Sequence, residues 1–285
     1  MSNPTADYEP WIGRRELSED DLGLAPALAG AAMLDDTQTT LQRDGPLPPL
    51  WHWFYFLPRT SQAQLGSDGH PPRGGFMPPI PYPRRMFAGA QLRFHRPLLI
   101  GRPARREAVI RAIHQKSGRS GSLAFVSVSC CFYQEDVLCI EEEQDIVYRE
   151  PGPPLVAPER VEWPPLAEGS WSRIVTPDSR LLFRFSALTF NAHRIHYDRP
   201  YAMHEEGYPG LVVHGPLTAV LLLQMVRAQA ERAVSEFSFR GLAPLFDLAP
   251  FRLIGTQVGS EVALLAQGPD GATAMSASAL LAPAP

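Results

Sequence analysis

The chain has 285 residues, 45% hydrophobic and 20% charged, a globular balance with room for two ordinary domains or one large one. A net charge of −4 offers no basic face for nucleic acid, and no apolar run reaches the ~20 residues of a membrane span, so neither is an expected partner. The acidic Met1–Asp21 has neither a signal nor a transit-peptide pattern, and Cys130, Cys131 and Cys139 match no disulfide framework or zinc spacing, which together point to the reducing cytoplasm.

Ser18-Glu-Asp-Asp21 looks like an N-cap with first-turn acids and predicts a helix to about Met33, loosened by Pro26 and Ala-Gly interruptions. Trp51 to Leu57, aromatic and bounded by prolines, reads as a strand. Gly66 to Pro83 is a long turn-rich segment, and such a segment inside a compact domain is functional or ordered by a partner. From Arg85 the period changes to two. Phe87–His95, Arg106–Gln115, Gly121–Tyr133 and Val137–Tyr148 predict an antiparallel meander, turning at Pro97–Pro103, Ser117–Gly121 and Glu135-Asp136.

Six prolines between Glu150 and Pro165 mark an ordered connector. Beyond it, Leu181–Phe185 is strand-like and Leu217–Val234 predicts a strongly apolar helix. Strands follow at Phe237–Arg240, Phe246–Gly255, Glu261–Gln267 and Thr273–Leu281, with a hairpin turn at Pro269–Ala272. Each half reads as a helix followed by a curled antiparallel sheet. The α+β chain divides into an N-terminal lobe 1–150, a connector 151–165 and a C-terminal lobe 166–285.

The densest polar stretch is Thr189-Phe-Asn-Ala-His-Arg-Ile-His-Tyr-Asp198, followed by Val213-His-Gly-Pro-Leu-Thr-Ala219. Four histidines (His193, His196, His204, His214) raise the question of metal, but their spacing fits no helical zinc motif and no metal or other cofactor is expected. A histidine beside a Tyr and an Asp is also often a satisfied structural residue. With no Gly-x-Ser-x-Gly elbow, a Ser–His–Asp hydrolase has no support.

Ile195-His196 with Ala202, and Val213–Ala219, resemble the hydratase 2 signature of the MaoC-like family. Asp68-Gly-His-Pro71, Arg73-Gly-Gly-Phe76, the Lys116–Gly121 turn and the Thr189–Asp198 block together resemble its double-hotdog subfamily. That subfamily includes the itaconyl-CoA and mesaconyl-C4-CoA hydratases and the mitochondrial 3-hydroxyacyl-thioester dehydratases. Its N-terminal domain is of the fatty-acid-synthase dehydratase kind.

The resemblance implies a tandem double hotdog, each lobe a curled sheet around a helix, paired as an intramolecular pseudo-dimer that joins the sheets of the two lobes. Further homo-oligomerisation is left open. The site is expected between the lobes, with the Gly66–Pro83 segment as part of its wall. The implied activity is that of a hydro-lyase acting reversibly on an enoyl-CoA thioester. A short branched or dicarboxylic substrate such as itaconyl-CoA or mesaconyl-CoA is expected, with coenzyme A as part of the substrate. A 3-hydroxyacyl-[acyl-carrier-protein] dehydratase and a catalytically silent acyl-CoA-binding hotdog stay open as alternatives.

The family motif runs acid, any residue, Asn, Pro, aliphatic, His. His196 takes the last place. Aligned without a gap, the acid falls on Asn191 and the Asn on His193; aligned on Phe190-Asn191, the acid falls on Thr189. The usual Asp is absent in both. By this resemblance His196 is the acid–base imidazole, titrating near neutrality. Asn191 can position water or a carbonyl but cannot shuttle a proton. Gly215, opening the apolar helix, is expected to offer its N–H to an enolate, and Thr218 to orient the Asn191 amide. His193 and Arg194 are expected to contact substrate, with Arg194 or Arg184 anchoring a second carboxylate. Arg84, Arg85, Arg102, Arg105 and Arg106 are candidates for coenzyme A phosphates, although strand-end arginines are usually solvated.

Overall fold

The period-two runs become strands because one face of each is apolar. Gly121–Gln134 shows this most plainly: every second residue from Ala124 to Gln134 is buried. In the computed structural model, which describes residues 7–118 and 121–283, the first strands are β1 (Arg15–Asp20), β2 (Arg84–Phe94), β3 (Ala104–Gly118), β4 (Gly121–Gln134) and β5 (Val137–Arg149). The later ones are β6 (Trp171–Val175), β7 (Val234–Gly241), β8 (Phe251–Val258), β9 (Glu261–Gln267) and β10 (Thr273–Leu281). The helices are α1 (Leu24–Leu34), α2 (Ser179–Leu188), α3 (Arg199–His204) and α4 (Gly215–Gln229).

These strands form one sheet in the order β1-β3-β4-β5-β2-β7-β10-β9-β8-β6. The two halves meet at β2 and β7, paired antiparallel from Gly89↔Arg240 to Arg93↔Glu236. The halves thus share one sheet, as paired hotdogs should, but it is not strongly curled, and the expected curled sheet around a helix in each lobe does not form. The chain builds a tandem hotdog-like α+β fold on a single ten-stranded sheet. The core helix α4 is apolar all round and packs on β2 and β7–β10, strands of both halves. Among the described residues the first half has no equivalent. Its Ala- and Gly-rich α1 presents little apolar bulk to a sheet and packs chiefly on α2 and the Trp51–Phe54 turn.

Several local expectations are corrected. Ser18–Asp20 belongs to β1, whose backbone pairs with β3 from Arg15↔Val109 to Asp20↔Ala104, and the helix starts only after Gly23. Trp51–Phe54 is a 3-10 turn burying Trp51, His52 and Phe54, a turn-like spacing rather than an alternation. Leu181–Phe185 lies inside α2. Asp178 caps it, accepting from the Leu181 N–H at 2.8 Å, and Leu182, Phe185 and Ser186 are buried at helical spacing. The meander is β3-β4-β5, with β2 beside β5 rather than β3. The apolar helix stops at Gln229, β7 already begins at Val234, and β8 starts at Phe251. In the Ser117–Gly121 turn, Arg119 and Ser120 lie outside the described residues.

At the seam between halves the backbones run close. A Cβ on Gly89 would stand 2.5 Å from the Phe239 carbonyl oxygen. Gly89→Ala should therefore destabilise the protein by roughly 1–3 kcal/mol in urea unfolding. Gly75→Ala, where a Cβ meets nothing within 4 Å, is the control and should change little.

Candidate active site

The second half presents its polar stretch as a tight loop between α2 and α4. Phe190 adopts φ 50°, and the Asn191 side-chain oxygen accepts from the His193 N–H at 3.0 Å. Asp198 caps α3 by accepting from the Tyr201 N–H at 3.1 Å. His196 is buried, and its Nδ1–H donates to the Val212 carbonyl at 2.7 Å. That bond fixes the tautomer and leaves Nε2 as the acceptor nitrogen. The ring stacks on His214 at 3.6 Å between centroids, and His193 meets it edge-on at 5.4 Å. His214 in turn shares a 2.9 Å hydrogen bond between Nε2 and Ser186 Oγ.

The fourth member of this cluster comes from the first half. His204 is exposed at the end of α3, whereas the His70 ring lies 4.1 Å from that of His193. His70 donates to Asp68 twice, from Nδ1 at 3.0 Å and from its backbone N–H at 2.9 Å. The segment docks backbone to backbone. The Arg194 N–H donates to the Asp68 carbonyl at 2.9 Å, and the Arg194 guanidinium reaches the Ser67 carbonyl at 2.9 Å. Gly69, at φ +89°, is required twice over, since a Cβ there would lie 1.8 Å from the Ala192 carbonyl oxygen.

A cleft of about 970 Å³ opens over the first-half face of the sheet, walled by Trp53, Phe132 and Tyr148 and reaching His70, Arg85 and Thr189. Asn191, His193 and His196 do not line it; the His193 ring packs against His70 and His196 against His193. Of the two alignments of the family acid, one therefore falls on a cleft residue, Thr189, and the other on Asn191, which does not line the cleft.

Burial sets the electrostatics. It lowers the His193 pKa to about 2, helped by His70 and His196, and the His196 pKa to about 4. It also pushes His214 well below the ordinary range. His70 is lowered too, by burial against the opposing pull of Asp68. Asp68 resists its own burial: the ring and backbone hydrogen bonds from His70 hold its carboxyl well below the usual carboxylate range. The site at neutral pH is thus a set of neutral imidazoles beside one carboxylate.

Thr218 is buried, but its hydroxyl donates to the His214 carbonyl at 3.3 Å within its own helix, not to Asn191. Arg194 pairs with Asp198 at 2.8 Å and covers the Tyr201 ring, and Arg184 is exposed on α2. Gly215 opens α4 beside β2, where a Cβ would stand 3.6 Å from the Phe87 carbonyl. Among the described residues no three His, Cys, Asp or Glu side chains converge as a metal-ligand set, and no helix is long and apolar enough to cross a membrane. Asp68 and His70 have no role in the sequence reading, where their signals are the Asp68-Gly-His-Pro71 likeness and the length of the turn-rich segment.

Because the unfolded histidines take protons near 6.5 and the buried ones refuse them, the unfolded state binds more protons below about pH 7. Stability should be full above that pH and fall as the pH drops towards about 4, with His196 alone contributing on the order of 3 kcal/mol. Urea unfolding at pH 7.5, 6 and 5 measures the slope, and His193→Asn should make it shallower.

The profile of the hydroxyacyl-thioester dehydratase type 2 family matches residues 50–247. The chain is 67% identical over 274 residues to a Chloroflexus aurantiacus protein named mesaconyl-C(4)-CoA hydratase, covering 96% of this chain and 98% of that one. HtdX of Mycobacterium tuberculosis matches with a TM-score of 0.68 at 17% identity, over 94% of this chain and 100% of that one. A second M. tuberculosis protein, described as having a double hotdog fold, matches with a TM-score of 0.58 at 15% identity, over 94% and 96% of the two chains. The two structures show a shared fold, and the match to the profile shows more: this chain belongs to the hydroxyacyl-thioester dehydratase type 2 family.

Proposed function

We propose that the protein is a hydro-lyase that reversibly hydrates an enoyl-CoA thioester, with mesaconyl-C4-CoA as the first substrate to test. The near-full-length likeness to the Chloroflexus hydratase carries this reading. The residues around the histidine cluster supply the chemistry. His196, neutral and with Nε2 free of its Val212 bond, takes a proton from water as the oxygen adds to the β-carbon. The electron pair moves to the thioester oxygen, and the enolate is held by the Gly215 N–H at the positive end of α4. The imidazolium then returns its proton to the α-carbon. Asn191 positions His193 through the backbone and fixes the loop. The lobes 1–150 and 166–285, joined by 151–165, act as an intramolecular pair, and three free cysteines suit a cytoplasmic setting.

One observation favours a second arrangement: of the clustered histidines, His70 is the one that lines the cleft. Its Nδ1 is committed to Asp68, so its Nε2 is likewise an acceptor. Loss of the enoyl-thioester absorbance separates the two. If His196 is the base, His196→Ala should lose roughly a hundred- to ten-thousand-fold, and His70→Ala should retain far more activity. The reverse order assigns the chemistry to His70. Asn191→Asp should keep measurable activity if Asn191 occupies the place of the family acid. A wild-type protein that binds mesaconyl-, itaconyl- and crotonyl-CoA without turning any over is a silent binder. Faster turnover of the carrier-protein thioester than of the CoA thioester would mark a dehydratase of fatty acid synthesis.

A further inference from the structure

The cleft contains four arginines, and three are already engaged. Arg59 donates to the Glu19 carbonyl at 3.2 Å. Arg73 is held by the carbonyls of Ile80, Tyr82 and Pro83 at 2.5, 2.7 and 2.9 Å. Arg106 reaches Glu16 and the Cys130 sulfur, each at 3.4 Å. Arg85 is different. Half-buried on β2, it has no hydrogen-bond or ion-pair partner among the described residues, and its guanidinium lies only at 6.0 Å from the Tyr148 ring. Five donors on a half-buried, permanent cation call for an acceptor.

Its position matters as much as its lack of a partner. Arg85 is two residues from Phe87, on the same face of β2. The Phe87 carbonyl is the group that Gly215 approaches at the start of α4. Arg85 therefore stands on the strand that borders the helix end proposed to hold the enolate, in the cleft that His70 lines. We propose that Arg85 anchors a free carboxylate on the acyl chain, which would make the site one for dicarboxylic acyl thioesters; this rests on the hydratase reading. A guanidinium takes a carboxylate through two parallel hydrogen bonds, so it reads both charge and orientation. Arg194, the sequence candidate for this task, is spent on Asp198 and Ser67. Arg85 is also close enough to depress the pKa of His70 and His193, so a bound carboxylate would relieve both rings.

The test uses Arg85→Gln and Arg85→Lys in the full chain, with thermal melting to confirm folding. Turnover is measured on mesaconyl-C4-CoA and crotonyl-CoA, and binding of succinyl-CoA and butyryl-CoA by calorimetry. Arg85→Gln should reduce the preference for the carboxylate-bearing member of each pair roughly 10- to 100-fold, mainly through KM, and Arg85→Lys should recover part of it. An unchanged preference, or equal loss on both members, overturns the assignment while leaving the hydratase reading intact. If the wild type turns over neither enoyl thioester, the hydratase reading fails, and the succinyl-to-butyryl binding ratio still judges Arg85.

Discussion

The antiparallel pairing of β2 with β7 is the contact on which the rest of the molecule depends. It turns two five-stranded halves into one sheet and gives α4 a surface contributed by both. It also fixes where the Gly66–Pro83 segment can go. That segment runs directly into β2, so once β2 lies beside β7 the segment must pass the loop that precedes α4. Gly69 then lets the two backbones close to contact distance, and Asp68 and His70 arrive beside His193. The site is thus a product of the seam.

The parts legible in the sequence share one property: they bury a face. β4 alternates strictly, α4 is apolar throughout, and both are found within a few residues of where the pattern places them. The edge strands β1 and β6 were invisible because hydropathy does not follow burial in them: Leu17 and Ile174 are exposed beside half-buried Ser18 and Arg173. α2 was misread because a short apolar run fits either period, and Asp178 decides it by capping three residues before Leu181. That the halves share one sheet followed from the hotdog resemblance and not from any local pattern. Curl depends on strand register across the seam, and nothing in β2 records which strand its free edge will face.

The site divides in the same way. His196, His193, Asn191 and Gly215 lie within one short stretch, and the structure brings them together. Thr218 and Arg194 lie in the same stretch, but their polar groups are taken up by the backbone and by Asp198. Proximity in sequence does not say which way a side chain is bonded. Asp68 and His70 are distant in sequence; the Asp68-Gly-His-Pro71 likeness and a segment too rich in turns to be a passive connection mark the place, but neither says which residues it will meet. His204, by contrast, was counted with the others on spacing alone and sits in solvent.

A cluster of imidazoles this tightly packed can carry very little positive charge. Each ring is desolvated, and His193 and His214 both feel a charge on His196 as repulsion. Protonating one ring therefore makes protonation of the next harder, and the group titrates as a unit rather than as independent sites. In the hydration proposed above, the first imidazolium to form could not pass its proton along the stack cheaply, which would leave the enolate as its acceptor. The ionised Asp68 stands at the first-half end of the cluster, bonded to His70 and felt at His193. Water stripped from the rings keeps them neutral, and in the hydration proposed above it would also direct the captured proton back to the substrate.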